Sequence, residues 1–263
     1  MSPSPNRPIV AVDVGNTRMK LGLFAAADSA PGELPTPDRT YDVSTLDEPL
    51  DKLTEWLTPI APQDADWRLA TVNLLGSTRL IAWLRDRDAA GNVAMLAAET
   101  LPLTVEVPQP EAVGIDRLLA TMAANRLRDP NRPAIVVDLG TALTADVVSA
   151  GGAFLGGVIG PGIDMSARAL HEFTDQLPRL AADTWATAPE PLGTSTADAM
   201  KSGLYWGTVG AVKEAILQLS QQCSAPPQVF LSGGAAESMA QYVGPDARYV
   251  RHLVLSGIAL SAP

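Results

Sequence analysis

The sequence predicts an α/β protein made of two similar lobes, and a repeated strand and turn is the main observation behind this prediction. Residues 9–12 form an apolar run that ends in Asp13-Val-Gly. Residues 134–137 form a second apolar run, which ends in Asp138-Leu-Gly and lies 125 residues further along the chain. An apolar run of four residues that stops at a polar turn is typical of a buried strand. The repeat therefore indicates an internal duplication, with one strand and turn opening each lobe.

The length of the chain is consistent with two lobes. It has 263 residues, enough for two ordinary domains with buried cores. We place the boundary after Leu118, which gives an N-terminal lobe of residues 1–118 and a C-terminal lobe of residues 119–263. If each lobe folds as its own α/β unit, we expect the two turns to face one another across a cleft.

Composition excludes several classes of protein. Apolar residues make up 46% of the chain and charged residues 18%, as in ordinary globular proteins. A net charge of -10 argues against nucleic-acid binding and gives no basic face for an anionic membrane. No apolar run is long enough to cross a bilayer, and the single cysteine, Cys223, excludes an internal disulfide. We expect a cytoplasmic protein.

Residues 9–24 predict a hairpin. After the turn at Asp13, Arg18 and Lys20 alternate with Met19 and Leu21, which is the period of a half-buried strand. The Gly-x-x-x-x-Gly-Lys-[Ser/Thr] sequence of a strand-to-helix phosphate loop is absent from the chain. The hairpin is therefore the feature to explain in the first lobe.

The remaining elements of the first lobe follow from local signals. Ser44 and Asp47 predict a capping box, followed by a helix with its apolar face inward. A strand is predicted over residues 67–72 and a helix over residues 77–88, while residues 93–107 are apolar but irregular. Gly114 opens a helix that runs to Leu127. Its first turn carries Asp116 and Arg117, where a carboxylate is often only a helix cap.

The second lobe repeats the pattern with more glycine. Residues 134–148 predict a hairpin, and the next segment, 151–162, contains six glycines. These glycines indicate either close approach to a ligand or partner lobe, or tight packing of strands. Later signals predict four further features. These are a helix from 165, a helix after the N-cap signal at 193–196, a strand at 229–231 before Ser-Gly-Gly, and an apolar segment at 254–260.

The two turns share a chemistry suited to polyphosphate. The second turn gathers Asp138, Thr141 and Thr144 within seven residues, so hydroxyls, backbone N–H groups and a carboxylate meet at one strand end. Two Asp-x-Gly hairpins of this kind resemble the phosphate-binding arrangement of the acetate- and sugar-kinase, heat-shock-protein and actin superfamily. That resemblance implies two ribonuclease-H-like lobes, the actin-like ATPase fold.

Five motifs in order narrow the resemblance to the type III pantothenate kinases. They cover most of the chain from Ile9 to Leu260, and they are Asp13-Val-Gly-Asn-Thr-Arg-Met-Lys20, Gly114-Ile-Asp-Arg117, Asp138-Leu-Gly-Thr-Ala-Leu-Thr144, Gly156-Gly-Val-Ile-Gly-Pro-Gly162 and Ser195-Thr-Ala-Asp-Ala-Met-Lys-Ser-Gly203. The family transfers a phosphoryl group from ATP to pantothenate in the first step of coenzyme A synthesis. The resemblance also implies a homodimer.

The resemblance assigns roles residue by residue. Asp116 is the expected general base. Asp138 is expected to bind a monovalent cation, potassium or ammonium, and Asp13 to hold Mg²⁺. The expected ATP-binding residues are Asp13, Val14, Gly15, Asn16, Thr17, Arg18, Met19, Lys20 and Thr141. The expected pantothenate-binding residues are Gly114, Ile115, Asp116, Arg117 and Thr196.

The chain departs from the common family pattern at three places. The tyrosine often found shortly before the Gly-x-Asp-Arg motif has no counterpart here, Ser195 replaces a frequent asparagine, and Leu118 follows Arg117 where an aromatic residue or isoleucine is common. Two other interpretations stay open. One is a different phosphotransferase or phosphatase of the same superfamily, and the other is a non-enzymatic regulator. The intact carboxylates Asp13, Asp116 and Asp138 disfavour the second.

Overall fold

The computed structural model describes residues 7–25, 29–181 and 184–261. It divides into two compact units, each built on a five-stranded sheet. The first unit comprises the described parts of Met1–Thr104, Pro108–Leu127 and His252–Pro263. The second comprises Val105–Val107 and the described parts of Arg128–Arg251.

The sheet of the first unit begins with the predicted hairpin. In chain order its strands are β1 (Ile9–Val14), β2 (Arg18–Phe24), β3 (Arg39–Ser44), β4 (Asp66–Thr71) and β5 (Val93–Met95). Their order in the sheet is β3-β2-β1-β4-β5. The first three strands are antiparallel, whereas β4 and β5 run parallel to β1. Parallel strands need crossover connections, and helices supply them here.

Helices cover both faces of this first sheet. They are α1 (Lys52–Leu57), α2 (Leu74–Arg85), α3 (Ile115–Leu127) and, after the second unit, α7 (Leu253–Leu260). Val10, Val12 and Val14 of β1 pack in one buried cluster with side chains of α1 and α2. Because side chains alternate along a strand, Asp13 lies on the opposite face of the sheet.

The second unit repeats this topology. Its strands are β6 (Ala134–Leu139), β7 (Ala142–Val148), β8 (Phe154–Pro161), β9 (Gln228–Ser232) and β10 (Ala247–Tyr249), and its helices are α4 (Ile163–Glu172), α5 (Thr196–Ser220) and α6 (Ala236–Val243). The order β10-β9-β6-β7-β8 is that of the first sheet read from the other edge. The predicted duplication and the α/β fold class are therefore confirmed.

The units divide differently from the expected boundary after Leu118. That boundary falls inside α3, which continues to Leu127, and α7 belongs to the first unit. The reason lies in the contact between α3 and α7. A Cβ on Gly257 of α7 would lie 2.3 Å from the carbonyl oxygen of Leu119, so the two helix backbones approach closely.

Two other local predictions need correction. The Ser44 and Asp47 side chains do hydrogen-bond, but they form a turn after β3, and α1 begins only at Lys52. The helix expected from residue 77 begins at Leu74, because the side chain of Asn73 caps it by accepting from Gly76 N at 2.8 Å.

The glycine-rich segment of residues 151–162 contains strand β8, and tight packing explains two of the segment's glycines. A Cβ on Gly157 would lie 2.1 Å from the carbonyl oxygen of Ala145, and one on Gly162 would lie 2.3 Å from that of Gly140. Gly160 has open space around its Cβ position. Tight packing of strands, one of the two explanations given for these glycines, therefore accounts for some of them.

Candidate active site

The first candidate element is the hairpin of β1 and β2. Asp13 and Lys20 are Cα partners across the two strands and both are half-buried. The turn exposes Asn16 and Thr17, and it is closed by a hydrogen bond from Gly15 N to Arg18 O of 3.1 Å. The hairpin thus presents a carboxylate, an ammonium group, a hydroxyl, an amide and turn N–H groups within one short segment.

Three predicted ATP-binding residues of this hairpin have side chains that are buried in the core or paired with another side chain. Val14 and Met19 are fully buried in the core, so they can meet a ligand only through their backbone. Arg18 Nε donates to the Asp42 carboxylate of β3 in an exposed ion pair. The side chains of Asn16 and Thr17 are exposed on the turn, where a ligand can reach them.

Two residues that the sequence reading did not single out hold the turn. Thr45, fully buried, donates its hydroxyl to Gly15 O at 2.8 Å and its N–H to Thr17 O at 3.0 Å. Asn73 Nδ2 donates to Asn16 Oδ1 at 3.5 Å. The sequence signal for Asn73 is an asparagine directly before a helix, which is a typical N-cap. The role of Thr45 depends on how β2 and β3 pair, and the local sequence gives no signal for it.

The second candidate element is the first turn of α3, also in the first unit. Gly114, Ile115, Asp116 and Arg117 are all half-buried. Asp116 Oδ1 accepts from Arg117 N at 2.9 Å, and a Cβ on Gly114 would lie 2.6 Å from that same oxygen. The glycine therefore leaves space for the carboxylate in its present position, and any larger residue would move that oxygen.

The third candidate element is the hairpin of β6 and β7 in the second unit. Asp138 is half-buried and pairs with Thr144 of β7 on one side and Ser232 of β9 on the other. A Cβ on Gly140 would lie 2.9 Å from Asp138 Oδ2. The carboxylate thus stands in a row of hydroxyl-bearing positions across three strands, an all-oxygen donor set.

Thr141 and the start of α5 complete the predicted positions of the second unit. Thr141, half-buried, accepts at its carbonyl from Gly162 N at 3.1 Å. Ser195 is the N-cap of α5, since its hydroxyl accepts from Asp198 N at 3.1 Å and donates to Asp198 Oδ2 at 2.6 Å. Thr196 is the first helical residue and is exposed. Capping is therefore done by Ser195, and Thr196 presents its hydroxyl at the surface.

Cys223 and His171 lie apart from the three candidate elements in the sequence. Burial raises the pKa of the Cys223 thiol above its ordinary value, which disfavours the reactive thiolate. His171 is exposed at the last turn of α4, with Nδ1 2.8 Å from Leu177 O. Neither residue has the surroundings of a catalytic group.

The described residues contain neither a metal-binding cluster nor a membrane-spanning helix. Within residues 7–25, 29–181 and 184–261, no three histidine, cysteine, aspartate or glutamate side chains gather as a metal cluster. No helix in those same ranges is both long and apolar enough to cross a membrane.

The sequence was then compared with known proteins. Residues 9–218 match the family model described as type III pantothenate kinase. The chain belongs to the type III pantothenate kinase family. The type III pantothenate kinase of Sphingopyxis alaskensis is 31% identical over 259 residues, and the match covers 95% of each chain. That of Acidiphilium cryptum is 39% identical over 158 residues, covering 60% of this chain and 58% of the relative.

The matches differ in their extent. The chain spans about three fifths of the length of the Acidiphilium relative, and nearly all of the Sphingopyxis one. Among solved structures, the ethanolamine utilization protein EutJ of Carboxydothermus hydrogenoformans superposes with a TM-score of 0.51 at 14% identity, covering 99% of this chain and 91% of that one. At that identity the likeness speaks for the fold alone. The expected α/β fold of two duplicated units is therefore confirmed for this member of the type III pantothenate kinase family.

Proposed function

We propose that the protein phosphorylates pantothenate to 4′-phosphopantothenate with ATP, the first step of coenzyme A synthesis. The observation that carries the proposal is the family match over residues 9–218, within which each carboxylate that the reaction needs is present. Phosphoryl transfer depends on alignment and on neutralising charge more than on covalent chemistry. Hairpins rich in N–H groups, hydroxyls and carboxylates suit that task.

Asp116 is the general base in this proposal. Its position in the first turn of α3, half-buried and beside a glycine whose lack of a Cβ leaves room for its oxygen, supports the assignment. A single carboxylate close to the substrate hydroxyl can accept its proton late in the transfer. Gly114, Ile115 and Arg117, which surround Asp116 in sequence, contact pantothenate in this proposal, and Thr196 does so from the start of α5.

The hairpin of residues 13–20 holds the phosphates of ATP in this proposal, and Thr141 contacts the nucleotide from the second hairpin. Exposed Asn16 and Thr17 offer donors to phosphate oxygens, and Lys20 adds a positive charge. The residues that meet ATP through their backbone are Val14, Gly15 and Met19. Arg18 is the first residue of β2 and is exposed beside the turn, where it forms its ion pair with Asp42.

The donor sets fit the expected cations. Mg²⁺ bound to a nucleotide usually takes only one or two carboxylates and fills its shell with phosphate and water oxygens, so the single carboxylate of Asp13 suffices without a three-residue cluster. Asp138, paired with hydroxyl positions on both neighbouring strands, offers oxygen ligands for potassium or ammonium. When bound, these cations neutralise the charge of the transferring phosphoryl group.

A homodimer and a cytoplasmic location complete the proposal. Both come from membership of the family, and sedimentation of the purified chain would test the first. Fractionation of cells expressing the native protein would test the second.

The deciding experiment measures ADP release with ATP, Mg²⁺ and pantothenate, in potassium and then in sodium. Pantothenate-dependent turnover that needs potassium is the expected result. Asp116→Asn should keep ATP binding and lower turnover by about two or more orders of magnitude. Binding of ATP without turnover in either salt would shift the assignment to another acceptor, tested with a panel of small hydroxy acids, or to a regulatory role.

A further inference from the structure

We infer that Thr45 is a positioning residue for the nucleotide-binding turn of the first hairpin, residues 15–17. This inference rests on the proposed function, because it deepens the role given there to that hairpin. Thr45 is fully buried directly after β3, and it contacts the turn twice. Its hydroxyl donates to Gly15 O at 2.8 Å and its N–H donates to Thr17 O at 3.0 Å.

These two bonds set the direction of the turn's peptide groups. In a trans peptide the carbonyl and the following N–H point to opposite sides. With Gly15 O held toward Thr45, the N–H of Asn16 points away from Thr45 and toward the exposed side of the turn. Successive N–H groups turned outward are how backbone binds phosphate oxygens. The Thr45 hydroxyl therefore keeps a donor presented without touching the ligand.

Thr45 is itself held from the other side. Arg79 of α2 donates from Nη1 to Thr45 O at 2.8 Å and to Ser44 O at 3.3 Å, and from Nη2 to Glu48 O. Gly76 of α2 lets the threonine approach, because a Cβ there would lie 2.3 Å from Thr45 Cγ2. A helix thus fixes the backbone of Thr45, and Thr45 fixes the turn.

The second unit has a glycine at the position that corresponds to Thr45. Gly162 holds the equivalent position after β8, and its N–H donates to Thr141 O at 3.1 Å, as that of Thr45 donates to Thr17 O. The second turn is tighter, with Gly140 N bonded to Ala142 O, and a Cβ at Gly162 would lie 2.3 Å from Gly140 O. The wider first turn leaves a space that the threonine side chain fills.

The test compares two substitutions of Thr45 in the full chain. Thr45→Val keeps the shape and the backbone N–H but removes the hydroxyl donor, whereas Thr45→Ser keeps the hydroxyl. The dissociation constant of Mg²⁺-ATP is measured by displacement of a fluorescent ATP analogue, and KM for each substrate is measured in the ADP-release assay. We expect Thr45→Val to raise the dissociation constant of ATP about tenfold, which is the effect of losing one hydrogen bond from the turn to a charged ligand. KM for pantothenate should stay within about twofold of the wild-type value. Thr45→Ser should restore ATP affinity.

Gly76→Ala provides a second route if Thr45→Val does not fold. Alanine favours a helix, so this change does not lower the helix propensity of α2. Its Cβ would lie 2.3 Å from Thr45 Cγ2 and 2.9 Å from Val14 Cγ1, so it presses on the turn through Thr45 and on β1 through Val14, and it should weaken ATP binding. Unchanged ATP affinity in both variants, or equal losses in Thr45→Val and Thr45→Ser, would overturn the inference. Wild-type protein that binds ATP but does not phosphorylate pantothenate would overturn the proposed function alone, since the ATP-binding comparison would still decide the role of Thr45. Wild-type protein that does not bind ATP would overturn both.

Discussion

Replacing Gly114 by alanine tests Asp116 without changing any charge. The added Cβ would lie 2.6 Å from Asp116 Oδ1, whereas ordinary contacts of this kind begin near 3.4 Å. The carboxylate oxygen must therefore move by about 0.8 Å. A misplacement near 1 Å at a reacting group costs about a hundredfold in rate, so we expect kcat to fall by about 10- to 100-fold.

The fold should survive this change. Gly114 does not have a positive φ, so alanine meets no backbone strain, and loss of glycine before a helix costs about 1 kcal/mol or less. A domain of this size tolerates such a loss. KM for ATP should stay near the wild-type value. Gly207→Ala is the matched control, since a Cβ at Gly207 of α5 would meet nothing within 4 Å.

A double-mutant cycle of Gly114→Ala and Asp116→Asn tests whether the glycine acts through the Asp116 carboxylate. If Gly114→Ala acts by moving the Asp116 carboxylate, it should cost little further activity in an Asp116→Asn background, where the base is already lost. The assay is steady-state ADP release with both substrates varied. A full additional loss in that background, or a kcat within about twofold of wild type in the single variant, would refute the reasoning.

Two further predictions concern the cation and the helix pair. Asp138→Ala and Asp138→Asn should each raise the potassium concentration for half-maximal turnover by about tenfold or more, since both remove a charged ligand worth about 1.5 kcal/mol or more; an unchanged potassium titration would remove Asp138 from this role. Gly257→Ala should lower the free energy of unfolding by about 1–3 kcal/mol, because its Cβ would meet the Leu119 carbonyl at 2.3 Å and overpacking outweighs the gain in helix propensity. Thermal unfolding checks this against Gly207→Ala, which should be neutral or stabilising, and a melting temperature of Gly257→Ala at or above that of wild type would contradict it.

Features that depend on neighbours in sequence could be predicted from the sequence. The two hairpins were recognisable because buried strands leave apolar runs and because the acidic turns repeat. The helix predicted from residue 77 begins at Leu74, and because Leu74 and Leu75 are 80% and 69% exposed, the buried apolar face of α2 does not mark its start. The N-cap at Asn73, a weaker signal, decided the helix boundary instead.

Features that depend on distant pairing could not be predicted. The bond from Thr45 to Gly15 exists only because β2 and β3 pair in one register, and nothing in the residues near Thr45 specifies that register. In the same way, the apolar segment of α7 fits either unit by composition. The close approach of Gly257 to the backbone of Leu119 places α7 in the first unit. A single glycine in an apolar helix does not indicate which helix it packs against.

Three carboxylates in this chain each have a glycine that makes room for them. A Cβ would lie 2.6 Å from an Asp116 oxygen at Gly114, 2.9 Å from an Asp138 oxygen at Gly140, and 2.5 Å from an Asp146 oxygen at Gly157 of the neighbouring strand. In the first two cases the glycine is two residues from the acid, so a short Gly-x-Asp or Asp-x-Gly motif encodes it. These motifs therefore specify where a carboxylate can stand as well as how the backbone turns. It follows that replacing the glycine of such a motif can shift the carboxylate of the acid while the fold is kept.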